Sequence, residues 1–375
     1  KSSSPITETK SSRPDKARDV SQALGSRLED IKEAGRNLKD GLIIDVFVGE
    51  KEAVHVNFVD SGGKLQGLNP EASKELRKLL KITSSTHGKL GNSIIDRWQK
   101  FYDTNLSQMS RPTLWTCPDG RTVKIKPVLM IKTNEVNYKY ANLEKVPALA
   151  DNFIIFIASK TKETSDVSET SAKDLVTKIN NIPKLTQRNV AFIIRLPDMN
   201  KKEQEKWYRE INNLQRLVGK DNVLVDPSKE ELQSMLQNKG KDIVAFELTH
   251  TDKGILLKNG EQYTSKDIKQ SGDLSHIKYL IGGLGTCNLA RLEDGNFAGS
   301  LREKGVGIIH APYSEVSSDV ALRKFKELIN ILRTIEKYDI SPYYLLDIIN
   351  QRLGISGEGT INLGKKKQGD VNYWG

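Results

Sequence analysis

A histidine and a cysteine, His250 and Cys287, stand at the ends of two strand-like runs in this sequence. The runs are DIVAFELTH at residues 242–250 and IKYLIGGLGTC at residues 277–287. We expect the two strands to lie side by side and parallel, an arrangement in which an imidazole base and a thiol nucleophile can meet at one edge of a sheet. The chain has only five histidines and two cysteines. With so few of each, a histidine and a cysteine rarely fall at the ends of two such strands by chance.

The elements around these two residues alternate between apolar strands and amphipathic helices. Strands are expected at 189–196, 222–225, 242–250, 277–287 and 305–310, and helices at 201–218, 228–237, 265–270, 296–303, 318–336 and 342–353. A hairpin of 254–257 with 262–264 is expected to turn on Asn259 and Gly260. Such alternation is typical of a parallel sheet covered by helices on both faces. The ligand site of such a sheet lies at the carboxyl ends of the strands, where His250 and Cys287 fall. His310 ends a neighbouring strand and is a candidate cleft residue.

The first half of the chain has a mixed order and predicts an α+β unit. Strands are expected at 42–48, 53–59 and 153–158, helices at 70–82 and 91–102, and a hairpin at 114–123. We therefore divide the chain into a disordered lead-in (1–20), an N-terminal α+β recognition or regulatory domain (21–150), an extra strand and linker region (151–187), a C-terminal α/β domain (188–360) and a flexible tail (361–375).

Charge is distributed unevenly along the chain. The net charge is +10, and residues 1–150 hold 25 Lys and Arg against 18 Asp and Glu. A basic half can meet an acidic protein, acidic lipid or nucleic acid, although a merely solvated surface gives the same count. Aromatic residues make up 6% of the chain, and no RNA- or DNA-binding motif is visible, which argues against nucleic acid. An acidic partner of the basic N-terminal domain, whether a protein or a lipid, remains an open candidate.

Several other classes of protein and site find no support in the sequence. No apolar run approaches the length of a membrane span, and no signal-peptide core is visible at the N-terminus. No Cys/His cluster has zinc spacing, and the run GGLG at 282–285 lacks both dinucleotide and Walker patterns, so we expect no metal and no cofactor. Two cysteines make no disulfide framework, which favours a reducing, cytoplasmic compartment, either of the producing cell or of a target cell reached by a delivered effector.

Residues 189 to 335 resemble the caspase-like (clan CD) cysteine peptidases, including the metacaspase and CHAT-type branches and the self-cleaving domains of large bacterial toxins. NVAFIIRLPD matches the first core strand, and DNVLVDPSKEELQSMLQ the second strand with its helix. DIVAFELTH matches the strand of the catalytic histidine, and IKYLIGGLGTCN that of the nucleophilic cysteine. The resemblance implies a caspase-like peptidase domain at 188–360 that cleaves protein substrates with a dyad.

That resemblance assigns His250 as general base and Cys287 as nucleophile, with Thr251, Gly254 and Gly285 near the oxyanion hole. The family usually has glycine directly after the histidine, and here Thr251 stands there. Gly254 is then the candidate residue for the backbone flexibility that this glycine usually supplies. The alternative is a catalytically degenerate caspase-like binding protein that acts through its basic N-terminal domain. In that case Cys287 is a buried apolar residue and His250 a structural strand-end residue.

Overall fold

The structure is a computed structural model of the 375-residue chain. It describes residues 43–48, 54–59, 65–86, 90–108, 113–116, 122–133, 143, 146–159, 172–196, 199–248, 250–251, 254–282, 286, 289, 297–310, 318–335, 342, 345–346 and 348–349. Cys287, Gly285 and Cys117 lie outside this set, as do the expected lead-in and tail.

The strands of the described residues are numbered in chain order. They are β1 (Ile43–Val48), β2 (Val54–Val59), β3 (Leu65–Gly67), β4 (Thr113–Thr116), β5 (Thr122–Ile125), β6 (Val128–Thr133), β7 (Ile154–Ser159), β8 (Val190–Ile194), β9 (Val223–Val225), β10 (Ile243–Glu247), β11 (His250–Thr251), β12 (Gly254–Leu256), β13 (Gln262–Thr264), β14 (Tyr279–Ile281) and β15 (Ile308–His310).

The α-helices are numbered in the same way. They are α1 (Pro70–Ser85), α2 (Asn92–Phe101), α3 (Pro147–Ala150), α4 (Ala172–Asn180), α5 (Lys201–Val218), α6 (Lys229–Leu236), α7 (Ser265–Gln270), α8 (Phe297–Glu303) and α9 (Ser318–Ile335). A π-helical turn, Tyr102–Leu106, continues α2. Residues 342, 345–346 and 348–349 are helical as well.

The first half of the chain builds a five-stranded mixed sheet in the order β3-β2-β1-β6-β7. β1, β6 and β7 are parallel, whereas β2 pairs antiparallel with β1 on one side and with the edge strand β3 on the other. The strand expected at 153–158 is β7, and it pairs with β6 along its length. The extra strand of the 151–187 region is therefore part of the first sheet.

The second half builds a five-stranded sheet in the order β15-β14-β10-β8-β9, and all its neighbours are parallel. Every residue of β8, β10, β14 and β15 is buried, as expected for strands that are covered on both faces. The α/β class with a mostly parallel sheet is thereby confirmed.

Two smaller antiparallel sheets complete the strand inventory of the described ranges. β4 and β5 form a hairpin at the predicted place. β11, β12 and β13 form a three-stranded sheet, and its β12–β13 hairpin is the one expected around Asn259 and Gly260. Asn259 has a positive φ of 67°, the conformation that Asn and Gly adopt most readily in a tight turn.

The two large sheets share one hydrophobic core. Alternate residues of both sheets face it, namely Val128, Met130, Ile154, Phe156, Val190, Phe192, Ile194, Ile243, Ala245, Tyr279, Ile281 and Ile308. The apolar faces of α4, α5 and α9 belong to the same core, with the Trp207 and Phe325 ring centroids 5.4 Å apart. These three helices therefore form a layer that is common to both sheets.

The outer face of each sheet has a separate core. Leu129 and Ile155 of the first sheet pack with α1 and α2. Val244, Phe246 and Leu280 of the second sheet pack with α6, α7, α8 and the three-stranded sheet. The second sheet thus has the helices of the shared layer on one face and the β11–β13 sheet with its helices on the other.

Candidate active site

The strands that lead to His250 and Cys287 are neighbours in the second sheet. β10 and β14 pair in parallel, with Ile243 opposite Tyr279 and Ala245 opposite Ile281. The predicted adjacency of the two strands is confirmed. Because the carboxyl ends of parallel strands meet at the same edge, the chain leaves both strands on the same side of the sheet.

His250 does not stand at the end of the long strand that the sequence predicted, and this expectation was wrong. β10 ends at Glu247, and His250 begins the separate strand β11. There His250 is opposite Ile255, and Thr251 is opposite Gly254. Directly after β10, the backbone N–H of Leu248 donates to a side chain, Thr286 Oγ1, at 3.0 Å.

Gly254 occupies a position that no other residue fits without strain. Its φ is +151°, and a Cβ there would lie 2.3 Å from the carbonyl oxygen of Tyr263. β12 and β13 therefore approach more closely at this point than a side chain allows. Gly254 pairs with Thr251, so this close approach lies directly opposite the residue that follows His250.

The strand predicted at 277–287 is described only over β14, Tyr279–Ile281, and Cys287 with Gly283–Gly285 lies outside the described residues. Thr286 is described and is fully buried. Its hydroxyl accepts from the Leu248 N–H and donates to the Phe246 carbonyl at 3.4 Å. The residue before Cys287 is therefore bonded to the end of β10, a contact that the sequence reasoning missed.

Gly282 lies where β14 ends, and its missing side chain permits close packing. A Cβ there would lie 2.2 Å from Leu289 Cδ2 and 3.1 Å from the His310 carbonyl oxygen. The Gly282 N–H donates to that same carbonyl. The start of the glycine run therefore joins β14 to the end of β15.

His310 ends β15 and is fully buried. Its Nδ1 shares a hydrogen bond with the Tyr279 hydroxyl, and the two rings meet edge to face with centroids 4.8 Å apart. Burial disfavours the charged imidazolium and lowers the pKa of His310 to about 3. The neutral imidazole is therefore the form present near neutral pH, and a role of His310 in the cleft stays a prediction.

Glu247, the last residue of β10, carries a buried carboxyl on the face of the shared core. Its Oε2 has no hydrogen-bond partner in the described part of the chain, and Lys324 of α9, itself buried, is its electrostatic neighbour. Burial raises the pKa of Glu247 to about 8, against the opposing effect of Lys324. A titratable group thus sits three residues before His250.

An ion pair lies at the same edge of the sheet, beyond β8 and β9. Arg195 Nη1 is 3.0 Å from Asp226 Oδ1, and Asp226 has a left-handed φ of 49°. The backbone N–H of Arg195 also donates to the Glu247 carbonyl at 2.7 Å. Sequence reasoning missed this pair, although a charged residue directly after each of two apolar strands was a usable signal.

The described residues contain neither a cluster of metal-ligand side chains nor a helix that could cross a membrane. Within these ranges, no group of three His, Cys, Asp or Glu side chains converges as metal ligands. None of the helices in the described part of the chain combines the length and apolar character that a membrane crossing requires.

Comparisons with known proteins find similarity at the level of structure. No protein-family model and no curated protein sequence matches this chain. The complex of Porphyromonas gingivalis RgpB pro- and mature domains aligns with a TM-score of 0.43 and 10% identity, over 79% of this chain and 78% of that chain. The Saccharomyces cerevisiae separase–securin complex gives 0.48 and 12%, over 90% of this chain and 31% of that chain. The α/β class of this chain rests on the strand order itself.

Proposed function

We propose that this protein is a caspase-like cysteine endopeptidase in which Cys287 is the nucleophile and His250 the general base. The observation that supports the proposal most strongly is the parallel pairing of β10 with β14. This pairing directs the segments before His250 and Cys287 to one edge, and Thr286 bonds one segment to the other. The sequence resemblance to the clan CD peptidases supports the same assignment.

The proposed chemistry is acyl transfer through a thioester. His250 takes the proton of the Cys287 thiol, and the thiolate attacks the scissile carbonyl. The C–N bond breaks as the imidazolium returns its proton to the leaving amine, and water then hydrolyses the thioester with His250 as base. Backbone N–H groups near Thr251, Gly254 and Gly285 are the proposed donors to the oxyanion.

A cleavage map tests this proposal. Wild-type protein and the variants Cys287→Ala, His250→Ala and Cys117→Ala are incubated with a cell lysate, and new peptide N-termini are identified by mass spectrometry. We expect cleavage by the wild type and by Cys117→Ala, and none by the other two, because nucleophile and base act as a unit. Wild-type cleavage by Cys287→Ala, or loss of cleavage in Cys117→Ala, would contradict the proposal.

The second candidate is a non-enzymatic caspase-like protein that binds an acidic protein through its basic N-terminal half. Two observations favour it, namely Thr251 in place of the usual glycine and the charge of residues 1–150. It predicts that Cys287→Ala retains the binding of an acidic polypeptide such as poly-glutamate, with an affinity that falls as salt rises. It also predicts that Cys287 reacts no faster than an ordinary thiol.

A further inference from the structure

The Thr286 hydroxyl makes two hydrogen bonds to the backbone of another strand. It accepts from the Leu248 N–H at 3.0 Å and donates to the Phe246 carbonyl at 3.4 Å. Both Thr286 and Leu248 are buried, so water does not replace these bonds. Because the second separation is long, the bond to Leu248 is the stronger of the two.

The Phe246 carbonyl and the Leu248 N–H lie on either side of Glu247 in the sequence. In a parallel ladder, one residue of the neighbouring strand bonds both of these groups. A residue opposite Glu247 on a neighbouring parallel strand would donate its N–H to residue 246 and accept from the N–H of residue 248. The last backbone pair between β10 and β14 in the described residues is Ala245 with Ile281. The Thr286 hydroxyl therefore serves as a side-chain substitute for the backbone partner that Glu247 would otherwise have.

The two bonded segments each lead directly to a residue of the proposed dyad. Thr286 immediately precedes Cys287, and Leu248 lies two residues before His250. We propose that Thr286 is a positioning residue, whose hydroxyl sets the Cys287 segment against the His250 segment. This inference rests on the proposed peptidase function and extends it to a residue outside the dyad.

A purely structural role for Thr286 makes a different prediction. If the hydroxyl only satisfies the buried Leu248 N–H, its loss lowers stability and leaves the folded site as reactive as before. If it positions the nucleophile, its loss also slows the reaction of the folded protein, because small displacements of a reacting group reduce rates strongly.

The test measures alkylation of Cys287 by iodoacetamide from pH 5 to 9, in a Cys117→Ala background, with the modified peptide assigned by mass spectrometry. Thr286→Val keeps the shape and removes the hydroxyl, whereas Thr286→Ser keeps the hydroxyl. We expect Thr286→Val to react at about one tenth of the wild-type rate or less and to shift its pH profile towards that of an ordinary thiol. Thr286→Ser should restore the wild-type rate to within about twofold.

Thr83→Val is the matched control. Thr83 is also buried, and its hydroxyl accepts from Trp98 Nε1 at 2.8 Å in the core between α1 and α2. This variant removes a comparable buried hydrogen bond away from β10. We expect a similar fall in melting temperature with an unchanged rate of Cys287 alkylation.

Each outcome bears on a different claim. If the wild type reacts quickly and Thr286→Val reacts equally quickly, the positioning role is overturned and the peptidase proposal stands. If wild-type Cys287 itself reacts as an ordinary thiol, the peptidase proposal fails and the positioning role fails with it. Should Thr286→Val not fold, Thr286→Ala against Thr286→Ser gives the same comparison, and equal rates in that pair overturn the inference.

Discussion

At the residue scale, Glu247 and His310 are buried on the same face of the second sheet, and burial displaces their pKa values in opposite directions. Glu247 moves from 4.5 to about 8 and His310 from 6.5 to about 3. The Glu247 contribution to stability is complete below pH 4.5 and is lost as the pH rises through about 8. The His310 contribution is complete above pH 6.5 and is lost as the pH falls through about 3.

We therefore expect the free energy of unfolding to be highest between pH 4.5 and 6.5, where the two slopes oppose each other. From pH 6.5 to 8 it should fall by up to about 1.4 kcal/mol per pH unit, since only the unfolded state has released the Glu247 proton. Urea unfolding followed by circular dichroism across this range measures the slope. In Glu247→Gln the free energy of unfolding should no longer fall between pH 6.5 and 8. The control Glu205→Gln, which changes an exposed residue of α5, should show the same fall as the wild type. An alkaline slope that survives in Glu247→Gln would show that another group is responsible.

At the element scale, local patterns predicted helices better than the ends of strands. α5 spans the predicted residues, and Trp207, Ile211, Leu214 and Val218 form its one buried face. The capping box of Ser228 and Glu231 is present at the start of α6. The sequence DIVAFELTH is predicted as one strand because an apolar run indicates that residues are buried and does not indicate where the strand ends. The end of β10 depends instead on its partner, and that partner is a side chain 38 residues away.

The same reason explains which parts of the candidate site the sequence could indicate. The order of apolar strands predicted that β10 and β14 are parallel neighbours. Other contacts of the site join residues that are far apart in sequence. They are the Thr286 hydrogen bonds, the electrostatic interaction of Glu247 with Lys324 and the Arg195–Asp226 ion pair. Hydrophobic periodicity indicates local secondary structure and does not indicate contacts between distant residues, so these contacts are seen only in the folded chain.

The close approach of β12 and β13 at Gly254 gives a prediction for the sheet that carries His250. Gly254→Ala should lower the free energy of unfolding by at least about 2 kcal/mol, because the new Cβ meets backbone and the φ is unfavourable for alanine. Gly272→Ala is the control, since its Cβ would meet only Gln237 Nε2 at 3.9 Å. That control should stay within about 0.5 kcal/mol of the wild type in urea unfolding. Equal stability of the two variants would contradict the tight packing described for Gly254.

At the scale of the whole molecule, the proposed N-terminal and peptidase domains have separate sheets but share a helical layer. Phe156 of the first sheet and Phe192 of the second both contribute to the core that contains Trp207 and Phe325. The proposed boundary between residues 21–150 and 188–360 is therefore a division between sheets. Because both sheets bury residues in this one core, their stabilities should be coupled.

This coupling predicts that Phe156→Ala destabilises the second sheet as well as the first. We expect a loss of about 3–5 kcal/mol for this buried truncation. Tryptophan fluorescence and far-ultraviolet circular dichroism should then report one coincident urea transition, shifted as a whole. Phe192→Ala should shift the transition in the same way from the other sheet. Two separate transitions, of which Phe156→Ala moves only one, would show that the halves unfold independently.

The most direct test of the central claim is the pH dependence of Cys287 alkylation in wild type and His250→Ala. If His250 is the base that activates Cys287, the wild-type thiol should react rapidly well below the ordinary cysteine pKa of about 8.5. His250→Ala should then react slowly, with a profile that rises only near that value. Superimposable wild-type and His250→Ala profiles, both rising near pH 8.5, would contradict the dyad and with it the proposed peptidase.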